Sequence, residues 1–260
     1  MSFLEEFNEG QYREILRLVV ETYPTTDIQD FRKKGRVCLW RHDVDYSLRR
    51  SVALARIEAE FGIRATYFLN IHCDYYNLLG VSSVELGRTL VSLGHRIGLH
   101  FDPSFYKNSV PDIEKYKKVL IYEKGILETV FDVPVEAYSL HNPTLAPEWN
   151  LTDTYFAGMI NLYSAEIQSN FTYVSDSNGF WQQRGGLHQI LVNPPEKLQV
   201  LTHPEWWHPS SMSPRDRISK CIDDMAEALN RQYDDLLASS GRPNIGGDNY
   251  YLDNKSIESL

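Results

Sequence analysis

Apolar residues recur along this chain with two periods, and stretches of one period alternate with stretches of the other. An opening segment from Phe3 to Tyr23 has the amphipathic spacing of a helix. It leads through the basic turn Arg32-Lys33-Lys34-Gly35 into the unbroken apolar run Val37-Cys38-Leu39-Trp40, which predicts a buried strand. Ser47 is placed to cap a helix running to Phe61, where Gly62 supplies a left-handed stop. Residues 65–71, rich in β-branched and aromatic side chains, predict a second strand. Ser82 with Glu85 makes a capping box for a helix that ends at Gly94. Residues 96–101 predict a third strand, Pro111 opens a helix to about Phe131, and residues 135–140 predict a fourth strand.

The middle, residues 143–193, is less regular; further strands are expected at 171–175 and 199–202. Ser213-Pro214-Arg215-Asp216 marks a helix start, and Ile218, Ile222, Met225, Leu229 and Leu236 follow at helical spacing, which predicts a core-facing stripe. Residues 241–260 turn polar and predict a poorly ordered arm. Strands alternating with helices predict an α/β fold of βα units around a parallel sheet, open or closed into a barrel.

Composition narrows the class. A chain of 260 residues, 42% hydrophobic, is long enough to bury one full core. A net charge of -9 argues against nucleic acid or an anionic membrane as partner. The three cysteines, Cys38, Cys73 and Cys221, are far apart and lack CxxC spacing, as suits free thiols in a reducing compartment. Met1-Ser2-Phe3-Leu4-Glu5-Glu6 shows no basic and no apolar signal region, and no run is long enough for a membrane span, so a cytoplasmic location is expected. The Asn150-Leu151-Thr152 and Asn170-Phe171-Thr172 acceptor patterns then read as coincidence. No GxGxxG, P-loop, GxSxG or HExxH pattern occurs, which leaves dinucleotide, nucleotide and serine-hydrolase chemistry without support.

In a parallel α/β sheet the C-terminal strand ends share one face, where active sites assemble. Asp43 and Asp45 follow the first strand, His100 the third, His141 the fourth, and His203 the later strand Leu198-Gln199-Val200-Leu201-Thr202. Carboxylates at a strand end are costly without partners, and Arg41, Arg49 and Arg50 offer salt bridges. The alternative is a metal site of three protein ligands with a position left for water. His95, five residues before His100, falls near the other end of its strand and reads as structural. His188 and His208 are weaker candidates, and His72-Cys73-Asp74 lines the pocket at most, having no metal-ligand spacing.

These residues, in this order, resemble the NodB-homology polysaccharide deacetylases, a carbohydrate esterase-like family, over residues 36–208. His42-Asp43-Val44-Asp45 is similar to that family's first motif with one residue inserted, Gly94-His95-Arg96-Ile97-Gly98-Leu99-His100 to its second, and Val200-Leu201-Thr202-His203 to its late motif. The resemblance implies a distorted (β/α) barrel, in residues 36–240, with residues 1–35 as a helical extension packed on it and 241–260 as a tail. It implies a divalent transition metal, Zn²⁺ or similar, held by Asp45 and His100. Asp43 would be the base, His203 the acid and Asp176 its orienting partner. Two departures stand out: Ser104 occupies the second metal-histidine position, and Leu140-His141-Asn142-Pro143 replaces the usual Arg-Pro motif. His141 is the expected third ligand, with Asp102 competing. Trp206 and Trp207 are expected either to wall the pocket and stack on a sugar ring or to be buried core aromatics, and Asn142 is expected to contact the carbohydrate substrate. The implied activity is removal of an N- or O-acyl group from a sugar, inside the cell, on a precursor of surface polysaccharide. The rival is a decayed barrel that binds a glycan or metabolite without turnover.

Overall fold

Strand β1 (Val37–Val44) is buried along its whole length and pairs in parallel with two neighbours, β2 (Thr66–Leu69) and β8 (Lys197–Thr202). In the computed structural model, which describes residues 7–24, 26–106, 112–144, 147–149, 151–183 and 185–246, these belong to one eight-stranded sheet. The other strands are β3 (Arg96–Phe101), β4 (Ala137–Leu140), β5 (Tyr155–Phe156), β6 (Met159–Asn161) and β7 (Thr172–Ser175). Their order is β5-β6-β4-β3-β2-β1-β8-β7, parallel throughout except for the β5–β6 pair. Helices α1 (Glu9–Thr22), α2 (Leu48–Glu60), α3 (Val81–Ser92), α4 (Ile113–Phe131), α5 (Ala165–Asn170) and α6 (Gly186–Val192) connect or flank the strands. The fold is a distorted (β/α) barrel, and among the described residues no pairing joins β5 to β7 to close it.

The period of two along β1 divides its side chains between two cores. Cys38, Trp40 and Val44 pack toward the helices with Tyr67, Leu99 and Phe101. Val37 and Leu39 pack with Phe68, Ala137 and Ile160 in the barrel interior. Gly98 makes room for that interior, because a Cβ there would stand 2.5 Å from the Phe68 ring. Helix α1 contributes Tyr12, Ile15, Leu16 and Val19 to the helix-side core.

Most elements lie where the pattern predicts, and the differences have local causes. Strand β1 runs on through Val44 because His42 and Asp43 continue its ladders, opposite Thr202 and Phe68. Ser47 does cap α2, accepting from Arg50 N at 3.2 Å, and Gly62 has φ 68° beyond its end. Helix α3 starts earlier than the capping box suggests: Gly80 is its N-cap, which puts Ser82 inside the helix. Helix α4 is capped by Asp112, while Pro111 lies outside the described residues, as do residues 1–6 and 247–260. Strands β5 and β6 and helices α5 and α6 occupy the segment that looks irregular in sequence.

The chain divides into two compact units, Met1–Ile218 with the barrel and Ser219–Leu260 with most of helix α7 (Pro214–Ser239). The stripe on α7 corrects part of a sequence expectation: Ile218 packs against the core, but the residues beyond it do not follow. Ile222, Leu229 and Leu236 are 39%, 58% and 59% exposed rather than core. Helical spacing reports that a helix has an apolar face; it does not supply a surface to cover that face. No helix among the described residues is long and apolar enough to cross a membrane.

Candidate metal centre

The C-terminal ends of β1, β3 and β4 bring together Asp45, His100 and His141, whose ligand atoms all lie within 4.8 Å of one another. Asp45 follows β1, His100 is the penultimate residue of β3, and His141 follows β4, where its amide donates to Phe101 O at 2.8 Å. Asp45 Oδ1 is 3.1 Å from His100 Nε2 and 3.3 Å from His141 Nδ1, and the two nitrogens are 3.1 Å apart. A tetrahedral ion with ligand distances of about 2.05 Å spaces its donors about 3.3 Å apart, so the triangle has the right size.

Proton bookkeeping supports the same conclusion. Ser139 Oγ donates to Asp43 Oδ1 at 3.0 Å, which leaves its oxygen to accept from His100 Nδ1 at 2.7 Å. That fixes the proton of a neutral His100 on Nδ1 and turns the Nε2 lone pair toward Asp45. Asp45 Oδ1 is itself buried with no hydrogen-bond partner. A carboxylate oxygen and two imidazole nitrogens gathered out of solvent can share a cation as well as a proton, and the mixed nitrogen and oxygen donors fit a divalent transition metal. Burial works against the Asp45 charge, yet His100 and His141 hold its pKa well below the ordinary carboxylate value. Burial likewise opposes the charged form of His141, and Asp45 outweighs it to raise the histidine's pKa.

Asp43 and Asp45 face the same way because they are two apart on an extended strand. The Asp43 carboxylate is 3% exposed, with Oδ2 3.9 Å from His100 Nδ1. Across the triangle stands His203, whose Nε2 is 4.0 Å from Asp45 Oδ2. Its Nδ1 lies 2.6 Å from Asp176 Oδ1. Asp176 is fully buried and also accepts from the His203 amide at 3.0 Å and from Trp207 Nε1 at 2.9 Å. Burial alone would lower the His203 pKa, but the Asp176 hydrogen bond and charge, aided by Asp45 and Glu205, raise it to about 10. The Asp176 pairing thus favours the charged imidazole, with Nε2 turned to the site.

Other expected residues fall in different places. Asp102 is outside the triangle, and its Oδ1 accepts from Ser104 N at 2.8 Å. Trp206 lies 8% exposed near Tyr46, with ring centroids 6.4 Å apart. Trp207 takes the buried alternative: it is 1% exposed, packs on Phe7, Tyr12 and Trp181, and donates to Asp176. Asn142 is exposed, with φ 47°, and places Nδ2 2.8 Å from His141 Nε2. His95 is buried in a separate group: it accepts from Ala65 N through Nδ1 at 3.2 Å and donates through Nε2 to Ala55 O at 2.9 Å. His72 pairs with the buried Glu123 at 3.0 Å and stacks on Phe105.

Sequence reasoning misses two groups at this site. Ser139 has no motif; only the β3–β4 register, which sets it opposite His100, reveals it. Glu205 is fully buried with both carboxyl oxygens unpartnered among the described residues, and burial followed by the Asp45 charge raises its pKa far above the ordinary carboxylate value. Its place in His203-Pro204-Glu205, two residues beyond a strand-end histidine, was the available signal.

No family model matches the chain, and no curated protein matches it. Among solved structures it is similar to a mutant of BA3943, described as a CE4 family pseudoenzyme with restored enzymatic activity, at 13% identity and a TM-score of 0.44. That alignment covers 76% of this chain and 64% of the other, so the chain spans less than two thirds of its neighbour. Wild-type BA3943, a CE4 family pseudoenzyme from Bacillus anthracis, aligns at 13% identity and TM-score 0.42, over 76% and 62% of the two chains. The Xyl-CE4 domain of a multidomain xylanase from the hindgut metagenome of Trinervitermes trinervoides aligns at 12% identity and TM-score 0.42, over 80% of this chain and 92% of that one.

Proposed function

We propose that this protein is a metal-dependent hydrolase that removes an N-acyl or O-acyl group from a sugar. The observation that carries the reading is the Asp45–His100–His141 triangle flanked by the Asp43 carboxylate on one side and the Asp176-paired His203 on the other. Asp45 Oδ1, His100 Nε2 and His141 Nδ1 would hold the ion, Zn²⁺ or a similar transition metal. When bound, the metal supplies Lewis acidity that lowers the pKa of water and polarises an acyl carbonyl.

The chain's own residues supply the proton transfers. Asp43 Oδ1 is taken by Ser139, which leaves Oδ2 to accept the proton of the attacking water. His203 Nε2–H gives its proton to the departing sugar nitrogen, a step an amide requires because an amide anion is a very poor leaving group. Asp176, held by the His203 amide and Trp207, keeps the imidazole aimed and charged. Asn142 steadies the outer edge of His141 once its amide presents Oδ1 to a protonated Nε2. Trp206 is the remaining aromatic candidate for contact with the sugar ring.

The sequence motifs support a carbohydrate substrate, and a precursor of surface polysaccharide is the form we propose. Ser104 in place of a ligand favours the rival reading, a glycan-binding barrel without turnover. The deciding experiment measures metal content together with acetate or formate release from N-acylated sugars, with Asp43→Asn as control. We expect one metal per chain and release that Asp43→Asn abolishes. Metal-dependent release that survives this substitution would sink the base assignment, and sugar binding with neither metal nor turnover would favour the rival.

A further inference from the structure

Arg50 is one of the arginines that the sequence offers as a partner for the strand-end carboxylates, yet its side chain bonds elsewhere. From the first turn of α2 its fork reaches the backbone carbonyl of Trp207, which accepts from Nε at 2.9 Å and from Nη2. Nη2 also pairs at 2.7 Å with Oε1 of Glu9, the first residue of α1. The same tryptophan reaches the site with its other end. Trp207 Nε1 donates to Asp176 Oδ2 at 2.9 Å, and Asp176 Oδ1 lies 2.6 Å from His203 Nδ1.

The segment that opens α1 grips the same turn. Glu9 N donates to His208 O at 2.8 Å and His208 N to Phe7 O at 3.4 Å, around a parallel bridge of Asn8 with His208. Phe7 is 1% exposed, and its ring centroid is 4.7 Å from that of Trp207. Its φ is 68°, a left-handed value that a bulky side chain adopts at a cost. Such strain persists only where the surroundings over-determine it. A turn that merely ends β8 needs no such grip; one that must hold an indole within hydrogen-bond reach of a buried carboxylate does.

We propose that Arg50 is a positioning residue for the acid: with Glu9 and Phe7 it clamps Trp207, and through the indole and Asp176 it fixes the His203 ring. It acts through these groups rather than on substrate. Its part in catalysis rests on the hydrolase reading above, whereas the clamp itself does not.

Hydrogen exchange of the tryptophan indoles, followed by NMR on the metal-free chain, tests the clamp without turnover, with Trp207→Phe assigning the signal. Arg50→Met is expected to speed exchange of the Trp207 indole at least about tenfold relative to the Trp40 indole, which donates to Tyr12 OH in the core. Arg50→Lys should recover part of the protection. Arg13→Met removes another α1–α2 ion pair, Arg13 with Glu60, and should leave the ratio unchanged within about twofold. No acceleration, equal acceleration of both indoles, or as large a change in Arg13→Met would overturn the proposal. If Arg50→Met fails to fold, Glu9→Gln is read the same way, with at least about a threefold change expected and an unchanged ratio overturning the clamp.

Turnover gives the second readout. Arg50→Met should lower kcat for an amide at least about fivefold, with KM within about threefold and metal content unchanged, and should spare an activated ester. In the His203→Asn background Arg50→Met should cost nothing further. A loss that persists there, or one equal on both substrates, would contradict the assignment. A wild-type chain with no turnover would sink the hydrolase reading, and the indole exchange would still decide the clamp.

Discussion

Two clusters lie along β1, one buried and one partly buried, and each joins one carboxylate to two histidines. Toward the helices, Glu58 accepts from His42 Nε2 at 2.7 Å, from Tyr67 OH at 2.8 Å and from Tyr12 OH, with His95 Nδ1 3.6 Å away. His42 Nδ1 is held in turn by Thr202 Oγ1 at 2.8 Å, and both histidines have partners on both ring nitrogens. At the strand ends, Asp45 Oδ1 has two ring nitrogens within 3.3 Å and no hydrogen-bond partner. The residue types are the same, so composition does not separate a structural cluster from a metal site. Satisfaction does: tyrosine hydroxyls complete the first, whereas among the described residues no such donor completes Asp45 Oδ1.

The largest expected effect tests that contrast from both sides. His100→Ala should drop bound metal from about one ion per chain to below about a tenth, while Glu58→Gln should leave metal content unchanged. Glu58→Gln should instead cost about 3–5 kcal/mol of stability, since it breaks a buried charged network. Metal analysis and chemical unfolding of both variants read the two outcomes. Loss of metal from the Glu58 variant at full stability would break the comparison.

Next in size are the proton-transfer groups. Asp43→Asn and His203→Asn should each reduce amide hydrolysis by about 10²–10⁴ with metal retained. An activated ester, whose leaving group needs no proton, should be spared by His203→Asn and not by Asp43→Asn; equal losses on both substrates would contradict the acid assignment.

Ser139→Ala should act through His100, weakening metal about 10–100-fold with little effect on folding, as read by competition with a chelator. The smallest effect concerns pH. The His203 pKa is raised from 6.5 to about 10, so its charged pairing with Asp176 contributes stability fully below pH 6.5 and loses it as pH rises through about 10. The Tm difference between wild type and His203→Asn, followed by calorimetry, should therefore shrink over that interval. A difference that grows with pH would reverse the sign.

Much of the architecture was legible because local periodicity and punctuation carry it: the Ser47 cap, the Gly62 stop and the strand at residues 96–101 all depend on neighbours in sequence. Asp43 and Asp45 could be placed on one face for the same reason. What escaped depends on partners far along the chain. Ser139 matters only because β4 pairs with β3, and Trp207 became a donor to Asp176 because β7 lies beside β8. Ile222, Leu229 and Leu236 on α7 are exposed for a related reason, since apolar spacing cannot say whether anything covers a helix.

Whether Asp45, His100 and His141 hold a catalytic metal is read from Zn²⁺-soaked crystals measured at the zinc absorption edge. One anomalous peak is expected about 2.0–2.2 Å from Asp45 Oδ1, His100 Nε2 and His141 Nδ1. No peak within that triangle, or one that leaves His141 unligated, would contradict it.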